Sequence, residues 1–119
     1  MIQSSLRQFG IDLRQLDTQT TYSVYHYWRP MMKAPFIVWA ETGEADDFHA
    51  DNGKAEILIS VTIDVYTQTE FDELLDKVFE YLDGKKIPFT LDSVEYEEDT
   101  RLIHYSFTCE MAVVTNGNA

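Results

Sequence analysis

The clearest pattern in the chain is a strict alternation of apolar and polar positions in residues 55–67. One side of this segment carries an aliphatic residue at every second position: Ile57, Ile59, Val61, Ile63 and Val65. Alternation with a period of two is typical of a strand that buries one face. Residues 102–114 alternate in the same way, with Phe107 and Cys109 among the apolar positions. The pattern therefore predicts two long strands, each with one buried face.

The period changes to that of a helix directly after the first of these strands. Apolar residues recur at spacings of three and four between residues 70 and 83: Phe71, Leu74, Leu75, Val78, Phe79 and Leu82. Such a stripe is typical of an amphipathic helix packed on a sheet. Thr69, with Asp72 three residues later, is the predicted N-cap, and Gly84 is the predicted C-terminal stop. We expect this helix to cover the apolar faces of both long strands.

Weaker patterns predict the remaining elements. Residues 2–9 have an apolar side and precede Gly10, which predicts a short helix that the glycine ends. Three further segments have the β-branched and aromatic content of strands: 21–28, 36–41 and 93–98. The predicted fold class is α+β, with a mainly antiparallel sheet of four to five strands. One long amphipathic helix and the short N-terminal helix pack on one face of that sheet.

Length and charge limit the classes of function. The chain has 119 residues with no repeat or linker, so we expect one domain over residues 1–114 and a flexible polar tail over residues 115–119. Its 21 Asp and Glu residues against nine Lys and Arg give a formal charge of −12, which argues against binding to a DNA duplex.

No apolar run reaches the roughly 20 residues that span a membrane. The N-terminus MIQSSLRQFG has no signal-peptide core, and the composition predicts a cytoplasmic protein.

Candidate catalytic chemistry is sparse. The single Cys109 excludes an internal disulfide and a cysteine-based zinc site, and its place on an apolar strand face predicts a buried thiol. The three histidines have no metal-ligand spacing. No nucleophile elbow, catalytic triad or phosphate-binding loop is present. We therefore predict no catalytic residue and no cofactor, and the protein is not expected to be an enzyme.

The acidic loop at residues 42–53 is a candidate metal site that fails on its spacing. The early spacing of a calcium-binding loop is present at Asp47, His49 and Asp51. However, Asn52 stands where that loop needs a glycine, and Leu58 stands where it needs its closing carboxylate. We expect a solvated hairpin loop and no metal.

Aromatic residues suggest contacts instead of catalysis. Tyr25, Tyr27 and Trp28 put rings on both faces of one predicted strand, which must then be covered on both faces or meet a partner. Phe48 is an aromatic residue within the acidic loop. It either anchors that loop to its own domain or contacts another protein.

Four segments, in a fixed order, resemble a known family. They are PFIVW (35–39), FHADN (48–52), IDVYT (63–67) and EYEEDTRLIHYSF (95–107). Their order and spacing resemble a family of small tail components encoded by phages and prophages of Gram-positive bacteria, similar to the tail-terminator (tail-completion) proteins of long-tailed phages. The resemblance covers residues 22–112, nearly the whole domain. Ala34 departs from it, since the family often has a second proline at this position.

The resemblance implies a structural role in the virion tail after assembly in the host cytoplasm. Such proteins form a six-membered ring on the last ring of the tail tube, so the implied partners are further copies of this chain, the tail-tube protein and the head-connector protein. DNA passes through the ring without specific binding, which suits an acidic subunit, and no membrane is involved. The family has no catalytic residues to carry over. Another head–tail junction protein and an acidic module that mimics DNA remain open as alternatives.

The matched loop segment and the aromatic residues together predict a set of interface residues. These are Trp28, Phe48, His49, Asp51 and Asn52. We expect the loop at residues 43–53 to lie at a contact between proteins.

Overall fold

Two helices and a five-stranded sheet make up the α+β fold of the computed structural model, which describes residues 2–17, 21–29, 33–45 and 56–114. The elements before the long helical pattern are α1 (Ile2–Arg14), β1 (Ser23–His26), β2 (Phe36–Glu44) and β3 (Glu56–Thr67). The remaining elements are α2 (Glu73–Gly84), β4 (Phe89–Glu97) and β5 (Leu102–Val114). Among the described residues, no helix is both long and apolar enough to cross a membrane. The predicted tail at residues 115–119 lies outside them.

The strand order in the sheet is β1-β2-β3-β5-β4, and one of its pairs is parallel. β1 runs parallel to β2, with Ser23 opposite Phe36, and the other three pairs are antiparallel. The sheet is therefore mixed, and the prediction of a mainly antiparallel sheet was wrong. Alternation reports which face of a strand is buried, but it carries no information about the direction of the neighbouring strand.

The hydrophobic core lies between the two helices and one face of the sheet. The sheet contributes the buried residues Ile37, Trp39, Ile59, Val61, Ile63, Val65, Phe107, Cys109, Met111 and Val113. The helices contribute the buried residues Leu6, Phe9, Leu13, Leu74, Val78 and Leu82. The predicted packing of the amphipathic helix on the apolar faces of the two long strands is confirmed, and so is the burial of the thiol.

α2 begins later than the apolar pattern predicted. Asp72 is its N-cap, and the Asp72 carboxylate accepts a hydrogen bond from the Leu74 backbone N–H at 2.8 Å. Thr69 is therefore not the cap. Phe71 precedes the helix with a φ of 58°, and its side chain is 93% exposed. Its assignment to the buried stripe was wrong, because the chain turns before the helical backbone begins.

The two helices are nearly equal in length, so the prediction of one long and one short helix was also wrong. α1 has 13 residues and α2 has 12. Gly10 lies inside α1 and does not end it, and Gly84 is the last residue of α2 and not the stop after it. A Cβ built on Gly10 would lie only 2.9 Å from Cζ2 of Trp39. The absence of a side chain at Gly10 therefore lets α1 pack closely against the sheet. This requirement comes from the tertiary structure and cannot be predicted from the local sequence of the helix.

Truncation of the buried stripe on α2 tests how the helix is oriented. Leu74→Ala should lower the free energy of unfolding by about 2–5 kcal/mol, because removal of a fully buried leucine leaves a cavity. Leu75→Ala, at the next position and only half-buried, is the matched control and should cost clearly less. Urea denaturation of both variants measures the difference. Equal losses would contradict the orientation of α2.

Candidate interaction surfaces

The face of the sheet opposite the helices carries an aromatic cluster near one end. The rings of Phe36 and Tyr66 stack with their centroids 4.6 Å apart, and the rings of Tyr66 and His104 stack at 4.2 Å. Tyr25 meets the edge of Phe36 at 6.5 Å. We use the name open-face cluster for these four rings together with Asp64, Arg29 and Glu97. Because Phe36 and Tyr66 are buried, this part of the face is already covered within the chain.

Ion pairs fix the polar members of the open-face cluster. Arg29 donates hydrogen bonds to both carboxylate oxygens of Glu97, at 3.1 and 2.7 Å, and its guanidinium carbon lies 4.6 Å from the centroid of the Tyr66 ring. Nε2 of His104 lies 2.7 Å from Oδ1 of Asp64. The hydrogen bonds from Arg29 lower the pKa of Glu97. These groups satisfy one another inside the chain, which favours a structural role for the cluster.

Of the predicted interface residues, only Trp28 belongs to the part of the chain that the structure describes. Its side chain is 61% exposed at the border of the open-face cluster, and its ring lies 5.3 Å from that of Tyr25. Tyr27 is equally exposed. Tyr25 is half-buried against Phe36, whereas the rings of Tyr27 and Trp28 are exposed at the surface. The other predicted interface residues, Phe48, His49, Asp51 and Asn52, lie outside the described residues.

A groove of about 390 Å³ lies between α1 and the β1 edge of the sheet, and we call it the β1-edge groove. Leu6 and Trp39 give it an apolar wall. The ring of His26 stacks on Trp39 at 3.9 Å and on Tyr27 at 3.8 Å, which continues the aromatic lining to the surface. The groove thus has a largely buried apolar base and an exposed aromatic residue, Tyr27, at the edge of the sheet.

The rim of the β1-edge groove is more basic than the chain as a whole. Arg7 and Arg14 project from α1 beside it. The carboxylate at the groove is Glu41, which binds Nε2 of His26 at 2.7 Å and accepts a hydrogen bond from the hydroxyl of Tyr27. In a chain with 21 acidic and nine basic residues, two arginines beside one engaged carboxylate make this rim locally positive. The groove is therefore suited to an apolar group flanked by acids.

An apolar patch lies at the opposite edge of the sheet, beyond the N-terminus of α2. This β4-edge patch consists of Phe71, Val94, Tyr96, Ile103 and Tyr105, which line a concavity of about 810 Å³. The first three side chains are exposed and the last two are half-buried. Glu70, Glu95 and Arg101 border the patch. Exposed apolar groups surrounded by polar ones are typical of contacts between proteins.

Sequence reasoning missed both edge surfaces. The groove combines residues from α1, β1 and β2, and no local pattern indicates that these residues meet. The patch does have a sequence signal, which is the apolar alternation of Val94 and Tyr96 along their strand. In the structure both side chains are exposed, so the helices leave this apolar side of β4 uncovered. Phe71 was assigned to the buried stripe on spacing alone.

The described residues offer no evident centre for metal binding or nucleophilic chemistry. Within residues 2–17, 21–29, 33–45 and 56–114, no three His, Cys, Asp or Glu side chains are placed to hold a metal ion. Burial raises the pKa of the Cys109 thiol to about 12, so this group stays protonated at neutral pH and is a poor nucleophile. Most of the acidic loop lies outside the described residues.

Comparison with known proteins assigns no family. No protein-family model matches the chain, and no curated protein matches its sequence.

Alanine at the two helical glycines tests the close packing beside the groove. Gly10→Ala should lower the free energy of unfolding by about 1–3 kcal/mol, because its Cβ would overlap the buried Trp39. Gly84→Ala is the matched control, since its Cβ would meet no atom within 4 Å. There, the better helix propensity of alanine should add up to about 1 kcal/mol. Stabilisation of both variants in urea denaturation would contradict the close approach of α1 to the sheet.

Removal of the Glu97 charge tests the ion pair of the open-face cluster. At pH 7, Glu97→Gln should lower the free energy of unfolding by about 0.5–1 kcal/mol, as for other partly exposed pairs. The folded-state pKa of Glu97 is lowered, so its carboxylate stabilises the fold above the unfolded pKa of about 4.3. That stabilisation is lost as the pH falls through the folded-state pKa.

The wild-type protein and the Glu97→Gln variant should therefore converge in stability as the pH falls below the unfolded pKa of about 4.3 and through the lowered folded-state pKa. Denaturation at a series of pH values measures this. If the difference in the free energy of unfolding between the two proteins stays constant or grows as the pH falls, the ion pair between Arg29 and Glu97 is contradicted.

Proposed function

We propose that this protein is a structural component of a phage or prophage tail, which caps the tail tube as a ring of identical subunits and joins it to the head connector. The observation that carries the proposal is the pair of different surfaces at opposite edges of one sheet. One edge has the β1-edge groove with its basic rim, and the other has the β4-edge patch with its exposed aromatic residues.

A ring of identical subunits needs this kind of asymmetry. A two-fold dimer uses one self-complementary surface, whereas head-to-tail contacts use two different surfaces on every subunit and close into a ring if the rotation allows. The groove and the patch differ in the residues that line them and in the sign of their charged borders. They therefore support a ring, in which each subunit presents its patch to the next.

The assignment of such a ring to a phage tail is supported by the resemblance of the PFIVW, FHADN, IDVYT and EYEEDTRLIHYSF segments to the tail-component family. The ring would sit on the last ring of the tail-tube protein and present another surface to the head-connector protein, with six subunits by analogy with the family. A formal charge of −12 per subunit repels phosphates, so DNA would pass through without adhering. We assign the protein no catalytic role, no cofactor and no membrane partner. Its proposed location is the virion tail, after assembly in the host cytoplasm.

Deletion of the gene from its phage or prophage tests this role directly. Without a ring to close the tube, negative-stain microscopy should show tails of uncontrolled length, and a wild-type copy supplied in trans should restore their normal length. Tails of normal length that are detached from heads would support another head–tail junction protein instead. Particles of normal appearance would remove the tail assignment and favour an acidic module outside the virion.

A further inference from the structure

We infer that the β4-edge patch of one molecule docks in the β1-edge groove of a second copy of this chain, with Phe71 as the side chain that enters the groove. This contact rests on the proposed function, because it is the head-to-tail contact from which a ring would be built. It assigns a specific partner and specific residues to two surfaces that the fold leaves exposed.

Phe71 has the properties of an anchor that is completed by a partner. It lies in the turn between β3 and α2, and its side chain is 93% exposed. Its φ of 58° is uncommon for a residue with a bulky side chain, so the turn holds the ring outward in a conformation that the local chain does not favour. Aromatic side chains that become buried when two proteins bind contribute most of the binding energy of many interfaces.

The β1-edge groove has a lining that suits a phenyl ring. Tyr27 offers an exposed aromatic surface and Ile11 an exposed aliphatic one, while the buried Leu6 and Trp39 form the base of the groove. Aromatic rings gain from edge-to-face and offset-stacked contacts beyond the area that they bury. The volume of about 390 Å³ lies within the range of roughly 300–1,000 Å³ that is typical of binding pockets.

Charge complementarity selects a second copy as the occupant. Arg7 and Arg14 border the groove, whereas Glu70 and Glu95 border the patch with Arg101 as the opposing cation. Two molecules that each carry a formal charge of −12 repel one another over most of their surfaces. A contact that places the arginines against the glutamates offsets part of this repulsion, and it favours the pairing of these two edges.

Disulfide trapping between two different variants tests the contact. Val94→Cys puts a thiol in the patch and leaves Phe71 in place, and Ile11→Cys puts a thiol in the lining of the groove. The two proteins, mixed with isolated tail tubes under mild oxidation, should form a mixed disulfide. The matched control replaces Val94→Cys by Glu80→Cys, on the exposed side of α2. Cys109 is buried with a raised pKa and should take no part.

Two further changes test the anchor and the charges. Phe71→Ala, added to the Val94→Cys protein, should lower the yield of the mixed disulfide about tenfold, whereas the stability of the monomer should stay unchanged. Reversal of Arg7 and Arg14 to Glu in the groove variant should also lower the yield. Reversal of Glu70 and Glu95 to Lys in the patch variant should then restore it. A yield no higher than that of the Glu80→Cys control, with both proteins folded, overturns the contact.

The outcome for this contact is separable from the outcome for the tail role. If gene deletion gives tails of uncontrolled length but no specific disulfide forms, the tail role is supported and this pairing of edges is overturned. A specific disulfide that depends on Phe71, together with normal particles after gene deletion, supports the contact and removes the tail role.

Discussion

The antiparallel pairing of β3 with β5 is the interaction on which the rest of the structure depends. The ladder runs from Glu56 opposite Val114 to Thr67 opposite Ile103, and it places the apolar sides of both strands on one face. Both helices bury their apolar stripes on that face. Because β2 pairs with β3 and β4 pairs with β5, the same ladder also sets how far apart the two edges of the sheet lie. The groove and the patch therefore occupy opposite edges as a consequence of this central pairing.

The elements that were predictable from sequence are those whose pattern reports burial. β5 was expected at residues 102–114 and has those bounds, and β3 and the apolar stripe of α2 follow their alternation and their helical spacing. The failures arose where a tertiary contact overrode a local signal. Gly10 looks like a helix stop, but it makes room for Trp39. The direction of β1 depends on the path of the connection after it, which strand periodicity does not encode.

The candidate interaction surfaces were less predictable than the fold. Trp28 was expected to be available for contacts, and its ring is exposed, which agrees with that expectation without testing it. The groove could not be inferred, because Arg7 and Trp39 are far apart in the chain and become neighbours only when α1 packs on β2. The exposure of Phe71 could not be predicted from its spacing, which matches the buried stripe of the helix. Phe71 lies in the turn before α2, so its side chain does not share the direction of that stripe.

The pair between Arg29 and Glu97 has a consequence for the kinetics of folding. It joins residues 68 positions apart and links the segment after β1 to β4, the strand at the far edge of the sheet. Closing so long a loop is entropically costly until the intervening strands have assembled, so we expect this pair to form late on the folding pathway. Interactions that form after the transition state slow unfolding and leave the folding rate almost unchanged. We therefore expect the Arg29–Glu97 pair, at about 0.5–1 kcal/mol, to act on the unfolding rate of the native state more than on its folding rate.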